Sequence, residues 1–137
     1  MTTLTPEQVT AFAVETYPST GVQGFRCDDV GDGFAVARWR YDPTQLRPGG
    51  LISGPTQFAA ADLALWYLSF TVLGLAAMAV TSDHHIVFLR PARGADLVAR
   101  AELLRAGRRR IAGRVLTWVD GDRDRPVSHA TGAYSLL

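Results

Sequence analysis

Lysine is absent from this 137-residue chain, and all 14 of its basic residues are arginines. Arginine is well suited to bidentate contacts with phosphate groups. Acidic and basic residues nearly balance, at a formal net charge of +1. This balance argues against a nucleic-acid-binding protein that depends on bulk electrostatics.

Cysteine is almost absent as well. Cys27 is the only one, which excludes an intrachain disulfide and a cysteine metal cluster. The opening residues, MTTLTPEQVT, have neither the basic segment nor the apolar segment of a secretory signal. We therefore expect a cytoplasmic protein.

Hydrophobic residues make up 47% of the sequence, and a chain of this length is expected to form one domain, residues 1–137. The run from Phe58 to Val80 is almost continuously apolar and long enough to span a bilayer. Asp62 and Gly74 interrupt this run, and a charged residue near the centre of a membrane helix costs roughly 2.5–3.5 kcal/mol. We therefore favour a buried helix ending near Gly74 and expect no membrane association.

Local signals in the first third of the chain predict a helix followed by a β-hairpin. Thr5, Pro6 and Gln8 fit the N-cap, first-turn and capping-box positions of a helix over about residues 5–17. Residues 25–30 and 34–41 have the composition of strands, with a glycine-rich turn between them.

The rest of the chain predicts a long helix and four strands. Residues 42–55 form a loop, and Pro55 opens a helix that runs to about Leu73. Strands are predicted at 78–89, 97–105, 110–120 and 127–136, the last three as an antiparallel meander. An α+β fold with an antiparallel sheet wrapped around one long central helix satisfies this order.

Asp62 is the one charged residue in the predicted central helix. Burying a charge is costly unless the charge is paired or hydrogen-bonded. Its neighbours, Ala59 to Ala61 and Leu63, make this a poor place for a structural carboxylate. We therefore favour a catalytic role for Asp62.

Three features together resemble the hotdog-fold acyl-CoA thioesterases. They are the Ser53-Gly54-Pro55 sequence before the long helix, Asp62 within it, and the segment FLRPARGAD at residues 88–96. The phenylacetate-degradation type, related to the hydroxybenzoyl-CoA thioesterases, is the most similar group, over roughly residues 30–137. The resemblance implies a hotdog fold and hydrolysis of a small or medium acyl- or aryl-CoA thioester, with no cofactor besides the coenzyme A of the substrate.

The resemblance also implies two catalytic residues. In this family the N–H of the first glycine in a His-Gly-Gly sequence polarises the thioester carbonyl, and a carboxylate eight residues later acts as nucleophile or general base. The matching positions are Gly54 and Asp62, and a helix N-terminus favours the negative charge that develops there. These two residues lie roughly 12 Å apart along a helix axis, so one thioester carbon cannot contact both in one helix. We therefore expect a homodimer or dimer of dimers, with antiparallel central helices and the site at the subunit interface.

The sequence departs from the family pattern at four positions. Ser53 stands in place of the histidine, and Pro55, which has no N–H, in place of the second glycine. Arg47 and Trp66 occupy positions where some relatives have asparagine and threonine. A non-catalytic acyl-CoA-binding hotdog protein is therefore the alternative function.

Five residues are predicted to bind substrate. Arg90 and Arg93 are expected to contact the phosphates of coenzyme A. Trp66, one turn after Asp62, is expected to shape the acyl pocket. Ser53 is not in a G-x-S-x-G context and is interpreted as a capping residue or a carbonyl ligand. The predicted set is Ser53, Thr56, Trp66, Arg90 and Arg93.

Histidine is scarce, with only His84, His85 and His129. His84 and His85 are neighbours on a strand and point to opposite faces, so we expect no metal site. We interpret them as ordinary strand residues, with a place in the acyl or pantetheine channel as the alternative for one of them. A hotdog hydratase or dehydratase pairs a histidine with a carboxylate, and the absence of histidine between Asp42 and Asp62 argues against that activity.

Overall fold

The N-terminal part of the chain is helical in the computed structural model, which describes residues 2–137. Helix α1 spans Pro6–Thr16 and begins with a complete capping box. Thr5 Oγ1 accepts a hydrogen bond from the Gln8 N–H at 3.2 Å, and the Gln8 side chain accepts one from the Thr5 N–H at 2.9 Å. A short helix α2, Ser19–Val22, follows. The sequence pattern does not predict α2, because four residues are too few to show helical periodicity.

Six antiparallel strands form one sheet in the order β1-β2-β4-β5-β6-β3. The pairing of β4 with β5 and of β5 with β6 confirms the predicted meander. Strand β3 crosses to the far side of this meander and pairs with β6, which makes β3 an edge of the sheet. The strands are β1 Phe25–Gly31, β2 Phe34–Trp39, β3 Ala79–Phe88, β4 Leu97–Ala106, β5 Arg110–Val119 and β6 Ser128–Leu136.

Helix α3, Gly54–Leu73, is the centre of the core and contacts all six strands. Between Ala60 and Phe70 every side chain except that of Asp62 is buried. Gly74 ends the helix at a φ of 83°, a conformation that glycine adopts without a steric penalty. The six-stranded sheet around one helix is the predicted α+β architecture and the hotdog fold that the resemblance implies. Among residues 2–137 no helix has both the length and the apolar character needed to cross a bilayer.

Two paired glycines bring α3 close to the middle of the sheet. Gly113 on β5 lies opposite Gly132 on β6. A Cβ atom at Gly132 would lie 2.8 Å from Leu65 Cδ1 and 2.7 Å from the carbonyl oxygen of Asp83. A Cβ atom at Gly113 would lie 2.9 Å from Leu65 Cδ2. The absence of side chains at this pair therefore sets how near the helix approaches β5 and β6.

Most element boundaries differ from the sequence predictions by one or two residues, and three differences have a clear physical description. Helix α3 begins at Gly54 rather than Pro55, because Ser53 is its N-cap. Strand β2 ends at Trp39 rather than at residue 41, because the Tyr41 N–H leaves the strand ladder and donates to Asp96 Oδ1 at 2.8 Å. The predicted loop 42–55 contains a 3-10 helix at Pro43–Gln45.

Candidate active site

The start of α3 is a capped helix end. Ser53 Oγ accepts a hydrogen bond from the Thr56 N–H at 3.2 Å and lies 3.0 Å from Thr56 Oγ1. Pro55 occupies the first turn, where its missing N–H removes no intrahelical bond. A Cβ atom at Gly54 would lie 3.2 Å from Phe88 Cζ. Capping therefore accounts for the contacts of Ser53 and Thr56, whose predicted roles in binding substrate stay predictions.

Asp62 lies two turns further along α3, within hydrogen-bond distance of three side chains. Thr81 Oγ1 donates to its two carboxylate oxygens at 2.9 and 3.1 Å. Tyr134 Oη donates to Oδ2 at 2.7 Å. His84 Nδ1 lies 3.2 Å from Oδ1. The Asp62 side chain is still 24% exposed, so the carboxylate is both fixed in place and accessible.

A β-bulge in β3 brings Thr81 and His84 to the same carboxylate. Residues three apart in a regular strand point to opposite faces. The pairing of β3 with β6 shifts register between Thr81 and Asp83, so one residue is inserted at Ser82. The bulge restores a common direction for Thr81 and His84, as bulges near active sites often do. Neither residue was predicted to contact Asp62, because the sequence pattern does not reveal this insertion.

The third donor, Tyr134, is also absent from the predicted site. It lies on β6, 72 residues from Asp62 in sequence, and the residue is 5% exposed. Burial raises the pKa of the Tyr134 hydroxyl, and the nearby charge of Asp62 raises it further. The hydroxyl therefore stays protonated and donates a hydrogen bond to the carboxylate. No local sequence signal identifies Tyr134, because its position depends on strand pairing.

An aromatic pocket of about 250 Å³ opens beside Asp62. Trp66, one turn after Asp62, lines it from α3 and is itself buried. Its predicted role in shaping an acyl pocket stays a prediction. Tyr17, the C-cap residue of α1, lies edge-on to Trp66 with ring centroids 6.3 Å apart. The lining also includes Leu63, Ala77, Ala79, Val80, Thr81 and Tyr134.

A second groove, of about 410 Å³, lies at the start of α3. It is lined by Arg47, Gly54, Phe88 and Arg90 together with neighbouring apolar residues. Arg90 Nη1 donates to the Pro126 carbonyl at 2.6 Å, which holds this arginine against the β5–β6 loop. Arg93 is exposed and is not part of the groove lining.

The structure thus divides the predicted residues between two places. Gly54 and Arg90 line one groove, and Asp62 and Trp66 line the other pocket. Gly54 and Asp62 share neither lining, in keeping with their separation along one helix. Within residues 2–137, no group of three or more histidine, cysteine or acidic side chains is arranged to hold a metal ion.

Residues 49–125 match the family model of the Thioesterase superfamily. The chain belongs to this superfamily. The matched residues include the second groove apart from Arg47, the Asp62 pocket apart from Tyr17 and Tyr134, and strands β3 to β5. It places this thioesterase-superfamily protein among chains associated with acyl-thioester hydrolysis.

Solved structures extend the likeness of this superfamily member over nearly its whole length. A candidate thioesterase from a Silicibacter species is 31% identical, with 98% of this chain and 93% of that chain covered and a TM-score of 0.87. A variant of the phenylacetic acid degradation protein PaaI from Thermus thermophilus is 25% identical, with coverage of 88% and 99% and a TM-score of 0.74. Zebrafish thioesterase superfamily member 2 shares the fold at 16% identity, with coverage of 98% and 100% and a TM-score of 0.81. No curated protein sequence matches the chain.

Proposed function

We propose that this protein hydrolyses the thioester of a small or medium acyl- or aryl-CoA, with Asp62 as the catalytic carboxylate. The observation that supports the proposal is the environment of the Asp62 side chain. It is the one side chain between Ala60 and Phe70 that is not buried, it faces a pocket, and three side chains fix its position. A carboxylate held this firmly is suited to activating a water molecule, and the alternative is direct attack on the thioester carbonyl.

The oxyanion would form at the N-terminus of α3 in a second copy of the chain. The Gly54 N–H is at the positive end of the helix, where negative charge is stabilised. The open edge of β3 supports such a pairing. This ten-residue strand has β6 as its only neighbour in the sheet of residues 2–137. Its end presents Val87 and Phe88 to solvent, exposed by 43% and 51%. A second β3 would cover this edge, and the assembly would be a homodimer or a dimer of dimers.

Coenzyme A would enter along the groove at the start of α3. Arg90 and Arg47 supply positive charge there, beside Gly54, and guanidinium groups bind phosphate in bidentate fashion. Arg93, exposed after Arg90, would contact the nucleotide end. Neither a metal nor a redox group is required for this reaction. A cytoplasmic location accords with Cys27, which is buried and free.

Two observations define the competing functions. Pro55 supplies no N–H beside Gly54 and the family histidine is absent at Ser53, which favours a non-catalytic acyl-CoA-binding protein. The hydrogen-bonded pair of His84 and Asp62 favours a hydratase or dehydratase. The sequence alone argued against that activity because no histidine lies before Asp62, yet the fold brings one from β3.

A turnover panel separates the three functions. Acyl- and aryl-CoA thioesters are incubated with the wild type, Asp62→Asn and the exposed-loop control Asp124→Asn, and free thiol is followed. We expect thiol release by the wild type and the control, and a loss of about 10²–10⁴-fold in Asp62→Asn, the range for removal of a general base. Binding of coenzyme A without thiol release would favour the non-catalytic protein. Hydration of an enoyl-CoA without thiol release would favour the hydratase.

A further inference from the structure

His84 is held more tightly than any other donor to Asp62. Its side chain is 2% exposed, and its ring stacks on Phe58 with centroids 3.9 Å apart and planes 20° apart. The hydroxyls of Thr81 and Tyr134 can rotate to follow the carboxylate, whereas a stacked imidazole cannot. The ring of His84 therefore fixes the position of Oδ1.

The contact also selects one tautomer of His84. An ionised carboxylate only accepts hydrogen bonds, so the ring must carry its proton on Nδ1 to bond Oδ1. With the proton on Nε2 instead, two lone pairs would face each other across 3.2 Å. Nε2 is buried, and no hydrogen-bond partner for it lies within residues 2–137. A proton on Nε2 would thus be an unsatisfied buried donor, which is costly.

We propose that His84 is a positioning residue that donates its Nδ1 hydrogen to Asp62 Oδ1 and holds the carboxylate in its reactive orientation. Thr81, with one hydroxyl hydrogen to share between the two oxygens, His84 and Tyr134 together supply three hydrogens, which leaves at least one of the roughly four lone-pair sites of the carboxylate free. That site, at the exposed side of Asp62, is where a water molecule would be activated. The inference rests on the proposed role of Asp62 in hydrolysis. The bulge at Ser82 is what makes it possible, because a regular strand would turn His84 away whenever Thr81 faced Asp62.

Two substitutions at one position test this role. His84→Phe keeps a flat ring against Phe58 and removes the donor, whereas His84→Asn keeps an amide N–H near the place of Nδ1. We expect kcat to fall about tenfold or more in His84→Phe with KM nearly unchanged, the pattern for a group that acts in the transition state. His84→Asn should recover most of the loss. His85→Asn, an exposed neighbour on the opposite face, serves as the control and should match the wild type.

Three kinetic outcomes would overturn the inference. They are full activity in His84→Phe, no recovery in His84→Asn, and an effect confined to KM. The proposed function is judged separately in the same assay by Asp62→Asn. If Asp62→Asn is inactive and His84→Phe is fully active, the positioning role fails while the hydrolytic role of Asp62 stands.

A spectroscopic measurement tests the same role without an activity assay and without any substitution of His84. The ¹⁵N shifts of the imidazole nitrogens of the resting protein report which nitrogen is protonated. We expect His84 as the Nδ1–H form in the wild type and a changed His84 signal in Asp62→Asn, with His85 unaffected. An Nε2–H form of His84, or no response to Asp62→Asn, would overturn the inference even if the protein hydrolysed no thioester.

Discussion

Gly132→Ala is expected to destabilise the protein by crowding the contact between α3 and the sheet. The added methyl group would lie 2.7 Å from the Asp83 carbonyl oxygen, 2.8 Å from Leu65 Cδ1 and 3.5 Å from His84 Cα. Overpacking of this kind costs about 1–3 kcal/mol. Alanine has less conformational entropy than glycine in the unfolded chain, which raises the free energy of unfolding by about 0.4–1 kcal/mol. Mid-range values of about 2 kcal/mol for the overpacking and about 0.7 kcal/mol for the entropy leave a net loss of about 1–2 kcal/mol.

Thermal and urea unfolding, followed by circular dichroism, measure this loss. For a chain of this size we expect Tm to fall by roughly 3–10 °C. Thioester turnover should fall too, because the methyl group separates Leu65 from β6, and Asp62 lies one turn before Leu65. A greater distance between α3 and β6 lengthens the hydrogen bond from Tyr134 Oη to Asp62 Oδ2, which is 2.7 Å in the wild type.

A double-mutant cycle with Leu65→Ala identifies the cause. Leu65→Ala alone should cost about 2–5 kcal/mol through the cavity it leaves. In the Gly132→Ala background it should cost less, because the new methyl group occupies part of that cavity. The coupling should be at least about 0.5 kcal/mol. Equal or greater stability of Gly132→Ala, or strict additivity of the two changes, would refute the crowding argument.

Two further predictions concern Cys27, which is buried, and Ser53, which is the N-cap of α3. Burial raises the pKa of the Cys27 thiol to about 12, so iodoacetamide at pH 8 should alkylate this thiol only after denaturant unfolds the protein. Mass spectrometry measures the alkylation, and rapid labelling of the native protein would contradict the burial of Cys27. Ser53→Ala should lower the free energy of unfolding by about 1 kcal/mol in urea titration, whereas Ser53→Asp should retain most of the stability because aspartate also caps helices. No loss in Ser53→Ala would mean that the contact with Thr56 does not stabilise α3.

The fold was predictable because its elements carry strong local signals. The capping box at Thr5 and the N-cap at Ser53 mark helix starts, and Gly74 marks the end of α3. Period-two alternation and turn glycines mark the strands. These signals act over a few residues, so they show where a helix or strand lies in the sequence but not which other elements it packs against. The crossing of β3 to the far side of β6 has no local signal of that kind.

The candidate site was predictable only where it lies on α3. Asp62 is conspicuous because it is a charge in an apolar helix, and Trp66 follows it by one turn. Thr81, His84 and Tyr134 reach Asp62 through strand order and a one-residue bulge. From the sequence His84 was interpreted as an ordinary strand residue, since a histidine between Asp83 and His85 looks the same whether or not the Asp62 carboxylate faces it.

The position of β3 at one edge of the sheet links the lifetime of the site to the local stability of an edge strand. Edge strands open locally at a lower free energy than the strands they flank. Thr81 and His84 both belong to β3, so each opening of this strand releases two of the three donors to Asp62 while α3 and the β4–β6 meander remain folded. Amide hydrogen exchange in β3 therefore also measures how long the site stays assembled. Any partner that covers this edge would prolong that time without touching Asp62.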